Sequence, residues 1–371
     1  MQSTKTDVLV VGGGPGGFAT AIALAERGLD VRVIDRTRAT PRKGELLAPT
    51  ALPVLGELGC EAAFRRSNHQ PCPGIISSWG QATPREADFI RNPHGTGWFV
   101  DRDALGAMFE QRLAECGGAT IRTASKAMPE HLGPHRWRVR VAGTEFRAPF
   151  LVYATGRSAL VGNAQGRITI DEQVALLHAG TRSSTRGCQD LRLQVEATRD
   201  GWWYLALYPG GRVVLAFMTD ADLLPKRPSE RLRWLEAVDR SAPHIARRLG
   251  NCRFDDAPTV VSATTFLRKR VAGRDWLAVG DAAMGTDPLS GQGIVRALRS
   301  GLRASEAISR ARGRPEGGLR HYALDTLAEF QRFTTARTAN YRHEDRWPNS
   351  PYWARRLSPS PAFNRRRNGT R

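Results

Sequence analysis

The residues with the plainest chemical meaning are glycines. Gly12-x-Gly14-x-x-Gly17 follows the apolar run Val8–Val11, holds Pro15 inside its loop, and opens a stretch of helical period up to Arg27. Gly12 suits a tight turn, Gly14 lets the backbone approach a pyrophosphate, and Gly17 lets helix and strand pack closely. The helix N-terminus adds amide donors and the positive end of its dipole. Asp35, followed by Arg36, ends the next strand and is placed to accept hydrogen bonds from an adenosine ribose. These residues predict dinucleotide binding without choosing between FAD and NAD(P). A second constellation makes that choice. Gly280-Asp281-Ala282-Ala283 follows a strand, and Pro288-Leu289-Ser290-Gly291-Gln292-Gly293 precedes a helix. An aspartate at such a strand end can bind a ribityl hydroxyl, and the turn can offer amides to an electron-rich ring edge. Alone, Gly-Asp-Ala-Ala also suits a bare strand-to-helix turn.

Other candidates keep two readings open. Lys43 and Glu45 lie in a loop that can reach the reacting face; one of them orients substrate or moves a proton, or they form a loop salt bridge or a backbone contact to the cofactor. Trp79, Trp98, Trp202, Trp203 and Tyr204 supply either an aromatic pocket for a planar substrate or sheet core. His94, between Pro93 and Gly95, is either functional or an exposed loop histidine. No histidine shows metal-ligand spacing, and there is neither a nucleophile elbow nor a P-loop.

Elements of both periods must position these residues. Asp7–Val11, a helix from Gly17 to Arg27 and Val31–Ile34 form a βαβ unit closed by Gly28. Residues 41–60 pass from loop to amphipathic helix, and 72–100 read as an excursion with short strands. Asp103–Cys116 is helical, and Arg136–Val141 with Phe146–Tyr153 predict a hairpin ending in Ala154-Thr155-Gly156-Arg157. From about 166 to 266 the period turns to two, interrupted by a helix near Pro228–Arg240. Trp276–Val279 is a strand, helices dominate from Gly293 to about Tyr341, and the tail after Trp347 is expected to be irregular or loosely docked. Helix-and-strand alternation at both ends with a strand-rich middle predicts an α/β fold: a nucleotide-binding domain of non-contiguous segments, which by family resemblance is an FAD-binding Rossmann-like domain of the glutathione-reductase type, with a β-rich inserted substrate domain and a C-terminal helical segment. The FAD domain is expected over 1–72, 97–165 and 267–345, the β-rich domain over 73–96 and 166–266, and a basic tail over 346–371.

Bulk properties bound the answer. The chain has 371 residues, 41% hydrophobic and 25% charged, which excludes wholesale disorder. It contains no apolar run of the ~18 residues that mark a membrane span. Val8–Val11 runs into glycines without the form of a signal peptide, so a cytoplasmic protein is expected, with no membrane partner. Five scattered cysteines without a C-x-x-C pair argue against a disulfide framework or zinc site. The net charge is +19, and 50 of the 55 basic residues are arginine. They are spread along the chain, so no nucleic-acid partner is expected. Either a GC-rich genome writes basic surface positions as arginine, or the field attracts an acidic partner.

The two constellations together resemble the flavoprotein monooxygenases of the p-hydroxybenzoate hydroxylase fold and the related flavin-dependent halogenases. The resemblance implies that Asp281 contacts the FAD ribityl chain, that the turn through Gly291, Gln292 and Gly293 lines the isoalloxazine, and that Arg102, in Asp101-Arg102, lies near the phosphates and ribityl chain. A narrower resemblance rests on Gly44-Glu45-Leu46-Leu47-Ala48-Pro49, Trp79-Gly80, Asp88-Phe89-Ile90, Asn92-Pro93, Gly97-Trp98, Gly201-Trp202-Trp203-Tyr204, Thr219-Asp220-Ala221-Asp222, Asp287-Pro288-Leu289-Ser290, Arg346-Trp347-Pro348 and Tyr352-Trp353. These segments are similar to maturation flavoproteins that hydroxylate a partner-protein tryptophan during tryptophylquinone biogenesis. Leu46, Gly291 and Phe99 depart from that pattern, where serine, serine and histidine are expected. The implied reaction is hydroxylation of an electron-rich ring through a flavin C4a-hydroperoxide, with Glu45, Lys43 and Trp79 as catalytic candidates. O2 is the co-substrate, and NAD(P)H or a partner flavin reductase donates electrons. The substrate is an aromatic small molecule or a peptide- or protein-borne tryptophan. A halogenase is one alternative, although Trp202-Trp203 is not the tryptophan-halogenase motif; a dehydrogenase or reductase on the same fold is another. A basic RNA-directed flavoprotein is a third, supported by charge alone.

Overall fold

The computed structural model describes residues 2–37, 45–124, 127–158, 166–182, 190–236, 238–254, 257–313 and 318–357. Its first layer is a five-stranded parallel sheet in the order Trp276–Ala278, Phe150–Tyr153, Val8–Val11, Val31–Arg36, Ala119–Thr123. Val8–Val11 sits at its centre, buried along its whole length, so it reads as a continuous apolar run rather than an alternating one. The helix Pro15–Ala25 leaves the end of this strand and packs against the long helix Gly293–Gly313. Their approach needs glycine: a Cβ on Gly301 would lie 2.5 Å from the Gly16 carbonyl oxygen and 2.7 Å from the Ala19 methyl. The helix Arg102–Glu115, capped by the Asp101 carboxylate on the amides of Asp103 and Ala104, packs beside Pro15–Ala25.

The expected hairpin from Arg136 to Tyr153 is divided between two sheets. Trp137–Val141 pairs antiparallel with Thr144–Ala148, whereas Phe150–Tyr153 runs parallel to Val8–Val11. Pro149 lies at the break, where its missing N–H cannot continue a ladder.

The strand-rich middle forms one large, mostly antiparallel sheet. Its order is Cys252–Phe254, Gln173–Arg182, Arg212–Asp220, Gly201–Leu207, Leu193–Thr198, Gly74–Ser78, Arg85–Asp88, with Thr259–Ser262 also paired to Gln173–Arg182. The excursion thus joins this sheet, with Gly74–Ser78 parallel to Leu193–Glu196. Period-two alternation sorts the side chains onto two faces, both covered. Val195, Ala197, Trp202, Ala206, Tyr208, Val214, Ala216 and Met218 enter one core cluster, while Trp203, Leu205, Leu207, Val213, Leu215 and Phe217 enter another.

The helix Gly318–Arg342 is followed by a further one, Pro351–Leu357. This corrects the expectation of an irregular or loosely docked segment after Trp347. Tyr352 and Trp353 are fully buried against the sheet, and the Trp353 indole N–H donates to the Thr198 carbonyl at 2.9 Å. Local composition hid this helix because its order comes from aromatic docking rather than propensity.

Candidate active site

The glycine loop has the geometry that its spacing predicts. Gly12 has φ +111°, and a Cβ there would lie 2.3 Å from the Ala154 carbonyl oxygen; one on Gly17 would lie 2.1 Å from the Gly12 carbonyl oxygen. Gly14 instead faces space, its nearest neighbour being the Ala154 oxygen at 4.0 Å. Gly14 is also the N-cap of the helix, no side chain caps it, and Pro15 takes the first turn, where the absent N–H costs nothing. The open N-terminus borders a cleft lined by Gly13, Pro15, Phe18, Arg102, Leu105, Gly106 and Phe109. Arg102 therefore stands across from the glycine loop, where a cation suits a pyrophosphate. Asp35 is buried beneath Gly13 and paired with Arg122 at 2.9 Å. Arg36 is exposed at the strand end.

The Gly-Asp turn is held from several directions. Gly280 has φ +55°, and its N–H donates to the Ser300 hydroxyl at 2.8 Å. Asp281 pairs with Arg296 at 2.5 Å and with Arg157 at 3.2 Å. Arg157 also donates to the carbonyls of Thr264 (2.6 Å) and Thr286 (2.9 Å), tying the two chain crossings together. Further on, Gly291 adopts a left-handed conformation with φ +60°, and neither Gly291 nor Gly293 would place a Cβ within 4 Å of any atom. The Thr50 hydroxyl donates to Gln292 Oε1 at 3.3 Å, bringing the segment after Glu45–Leu47 against this turn.

Glu45 opens a short strand antiparallel to Gly97–Val100 and pairs with Arg102 at 3.4 Å. Leu46, Phe99, Tyr204, Tyr208 and Leu289 share one apolar cluster, so the strand, the second turn and the large sheet converge there. Burial pushes the Tyr204 phenol well above its ordinary range, and Tyr208 and Glu45 add to this. Burial does the same to Tyr208. Both phenols therefore stay neutral at ordinary pH. The Arg212 guanidinium lies over the Tyr208 ring, 4.4 Å from its centre.

The five aromatics do not form one pocket. Trp79 packs edge-on against Trp202, Tyr341 and Trp353, with its indole N–H on the Asn340 carbonyl at 2.9 Å. Trp203 points to the opposite face of the sheet, against Phe217. Trp98 meets Phe64 on another core and, with His94, lines a surface hollow. Lys43 lies outside the described residues. Reading the sequence alone missed Arg122, Arg157 and Arg296, the arginines that engage Asp35 and Asp281. Only Arg157 left a signal, at the end of the Ala-Thr-Gly-Arg run. Among the described residues, no cluster of His, Cys, Asp or Glu could hold a metal, and no helix is long and apolar enough to cross a membrane.

Two open glycine turns, each at a helix N-terminus, with Arg102 near one and the Asp281 carboxylate near the other, form a cradle suited to an extended FAD. The chain belongs to the FAD binding domain family, whose model matches residues 5–310. Within it, the protein is an FAD-dependent oxidoreductase of the superfamily that contains aromatic-ring monooxygenases and flavin-dependent halogenases. It is 25% identical to a Marinomonas mediterranea chain named as an FAD-dependent oxidoreductase, LodB, over 94% of this chain and 96% of that one. It is 28% identical to menaquinone reductase of Mycobacterium tuberculosis, covering 82% and 76%. It is 24% identical to a 1H-pyrrole-2-carbonyl-[peptidyl-carrier protein] brominase of Pseudoalteromonas luteoviolacea, covering 82% and 77%. Among solved structures, the peptidyl tryptophan dihydroxylase QhpG, essential for tryptophylquinone cofactor biogenesis, superposes with a TM-score of 0.79 at 26% identity. That match covers 96% of this chain and 79% of that one.

Proposed function

We propose that this protein hydroxylates an electron-rich aromatic ring, of the tryptophan or indole type, carried on a peptide or protein. The observation that carries the proposal is the similarity to a peptidyl tryptophan dihydroxylase over nearly the whole chain. Bound FAD, once reduced by NAD(P)H or a separate reductase, supplies the two electrons that let O2 place one oxygen on a ring carbon and release the other as water.

The chain's own residues bind, orient and exclude water. Gly12, Gly14, Pro15, Gly17 and Arg102 hold the pyrophosphate, Asp35 and Arg36 face the adenosine end, and Gly280 and Asp281 hold the ribityl chain. The turn from Pro288 through Gly291, Gln292 and Gly293 carries the ring. Leu46, Phe99, Tyr204, Tyr208 and Leu289 keep the reacting region dry, where the developing charge on the ring is met by fixed dipoles. The Glu45 carboxylate is the group that accepts the proton leaving the ring carbon, and Lys43 stands beside it in sequence. Trp79 contributes ring surface to the wall. The large sheet, with segments 73–96 and 166–266, is the substrate side, and segments 1–72, 97–165 and 267–345 are the cofactor side. A cytoplasmic location completes the proposal.

Halogenation is the second reading, favoured by the similarity to a brominase acting on a carrier-borne pyrrole. The deciding experiment mixes reduced holoenzyme with isotopically labelled O2 and a tryptophan-containing peptide, with and without bromide, and weighs the product. Labelled oxygen in the peptide is the expected result. Bromine in the peptide would establish the second reading. An unmodified peptide, together with rapid oxidation of the reduced holoenzyme by a quinone added in a parallel anaerobic sample, would instead place the protein with the reductases.

A further inference from the structure

Asp287 begins the turn that ends at Gly293, and it is 1% exposed. Its Oδ1 accepts from the Leu289 N–H at 3.0 Å, closing the turn on itself. Its Oδ2 accepts from Arg337 Nε and from the Tyr341 hydroxyl, each at 2.9 Å. Arg337 and Tyr341 are four residues apart on the helix Gly318–Arg342 and so project from one face. The clamp is anchored behind: Arg337 Nη2 donates to Asp171 Oδ2 at 2.8 Å, and Asp171 Oδ1 accepts from the amides of Gln173 (3.1 Å) and Thr265 (3.0 Å). The Tyr341 hydroxyl also lies 3.2 Å from the Tyr352 hydroxyl and accepts from Trp202 Nε1 at 3.2 Å. Apolar residues could fill this space at least as stably as buried charges do, so what such a network can supply is one defined geometry. Here that geometry belongs to Asp287 and the backbone that follows it.

We propose that Arg337 and Tyr341 are positioning residues for the flavin ring, acting through Asp287 on the backbone of the Pro288–Gly293 turn. The proposal rests on the chain's membership of the FAD binding family and on that turn carrying the ring. It is independent of ring hydroxylation, so failure of the labelled-oxygen experiment leaves it standing. Tyr341→Phe removes only the hydroxyl and keeps the ring against Trp79 and Trp353. Tyr352→Phe is the comparison, because its hydroxyl bonds Gln173 and Tyr341 but not Asp287.

The test measures the thermal midpoint of each apoprotein, FAD affinity by quenching of flavin fluorescence, and the visible spectrum and reduction potential of the bound flavin. A lost hydrogen bond to a buried carboxylate predicts that Tyr341→Phe weakens FAD binding about tenfold and shifts the flavin bands. Asp287→Asn does the same, while Tyr352→Phe lowers apoprotein stability comparably and leaves FAD affinity within about twofold. Wild-type affinity and spectrum in Tyr341→Phe would overturn the proposal. So would a loss of affinity that follows apoprotein stability equally in Tyr341→Phe and Tyr352→Phe, since a merely structural role predicts that.

Discussion

Replacing Arg356 by Met removes a buried guanidinium while keeping a long side chain. Arg356 is 4% exposed and holds Asp220, itself 2% exposed, through bonds of 2.7 and 3.1 Å. It also donates to Gln173 Oε1 at 2.8 Å and lies 3.5 Å from the centre of the Tyr352 ring. Burial works against its charge, but Tyr352, Tyr341 and Asp220 outweigh this and hold its pKa above the ordinary value. Breaking a buried pair costs ~3–5 kcal/mol because the remaining charge is left without a partner. Asp220 would keep Arg355 at 3.0 Å, so the loss falls at the low end, about 3 kcal/mol. With an unfolding entropy of ~2.1 cal/mol/K per residue over 371 residues, that lowers the melting midpoint by about 4 °C. Thermal unfolding of the apoprotein, followed by circular dichroism, measures it. Arg355→Met is the contrast: its side chain is 47% exposed, and an exposed pair is worth ~0–1 kcal/mol, so the midpoint moves by about 1 °C or less. Equal shifts for the two variants, or no shift for Arg356→Met, would refute the docking of the last helix by this arginine.

Further expectations concern the loop, one buried acid and one thiol. Gly12→Ala, at φ +111° and 2.3 Å from the Ala154 oxygen, destabilises the apoprotein by ~2 kcal/mol or more, whereas Gly14→Val leaves apoprotein melting near wild type and weakens FAD binding more than ~10-fold. Melting and FAD titration of the same two samples separate these effects. Burial raises the Glu196 carboxyl above its ordinary 4.5, despite bonds from the Ile245 and His244 amides. A raised folded-state pKa gives stability that is present below 4.5 and lost as pH climbs through the folded value, so across that window the melting temperature of wild type should fall relative to that of Glu196→Gln. Parallel slopes for the two proteins would count against the assignment. Burial pushes the Cys60 thiol up to about 12, so it should resist thiol reagents in the native protein at pH 8 and react on unfolding. Rapid native labelling at Cys60, located by peptide mapping, would be the contrary result.

The glycine turns were legible because they rest on backbone requirements. A close approach or a positive φ admits few residues besides glycine, so Gly12, Gly14, Gly17, Gly280 and Gly291 announce their turns locally. The large sheet was legible for a similar reason: strand-length segments that alternate, such as Leu193–Thr198, or run apolar because both faces are covered, such as Gly201–Leu207 and Arg212–Asp220, show their period locally. The Pro149 break was visible as a residue, yet not the change of sheet it causes, since pairing depends on which distant strand offers an edge. For the aromatic residues the sequence left pocket and sheet core both open, and the structure places the tryptophans in cores. Trp79, Trp98, Trp202 and Trp203 share a residue type, but strand register and helix docking send them to three different cores.

The sequence by itself announced the two glycine turns and the strands and helices that flank them, because those constraints act within a few bonds of the residue concerned. Only the tertiary structure decided which charges face one another. Arg157 and Arg296 meet Asp281, Arg122 meets Asp35, and Arg337 with Tyr341 meets Asp287. Among fifty arginines, composition offers no way to distinguish these from surface ones. A buried ion pair is selected by the desolvation that packing imposes on both partners, and that depends on elements brought together from as far as 166 residues apart, as Asp171 and Arg337 are.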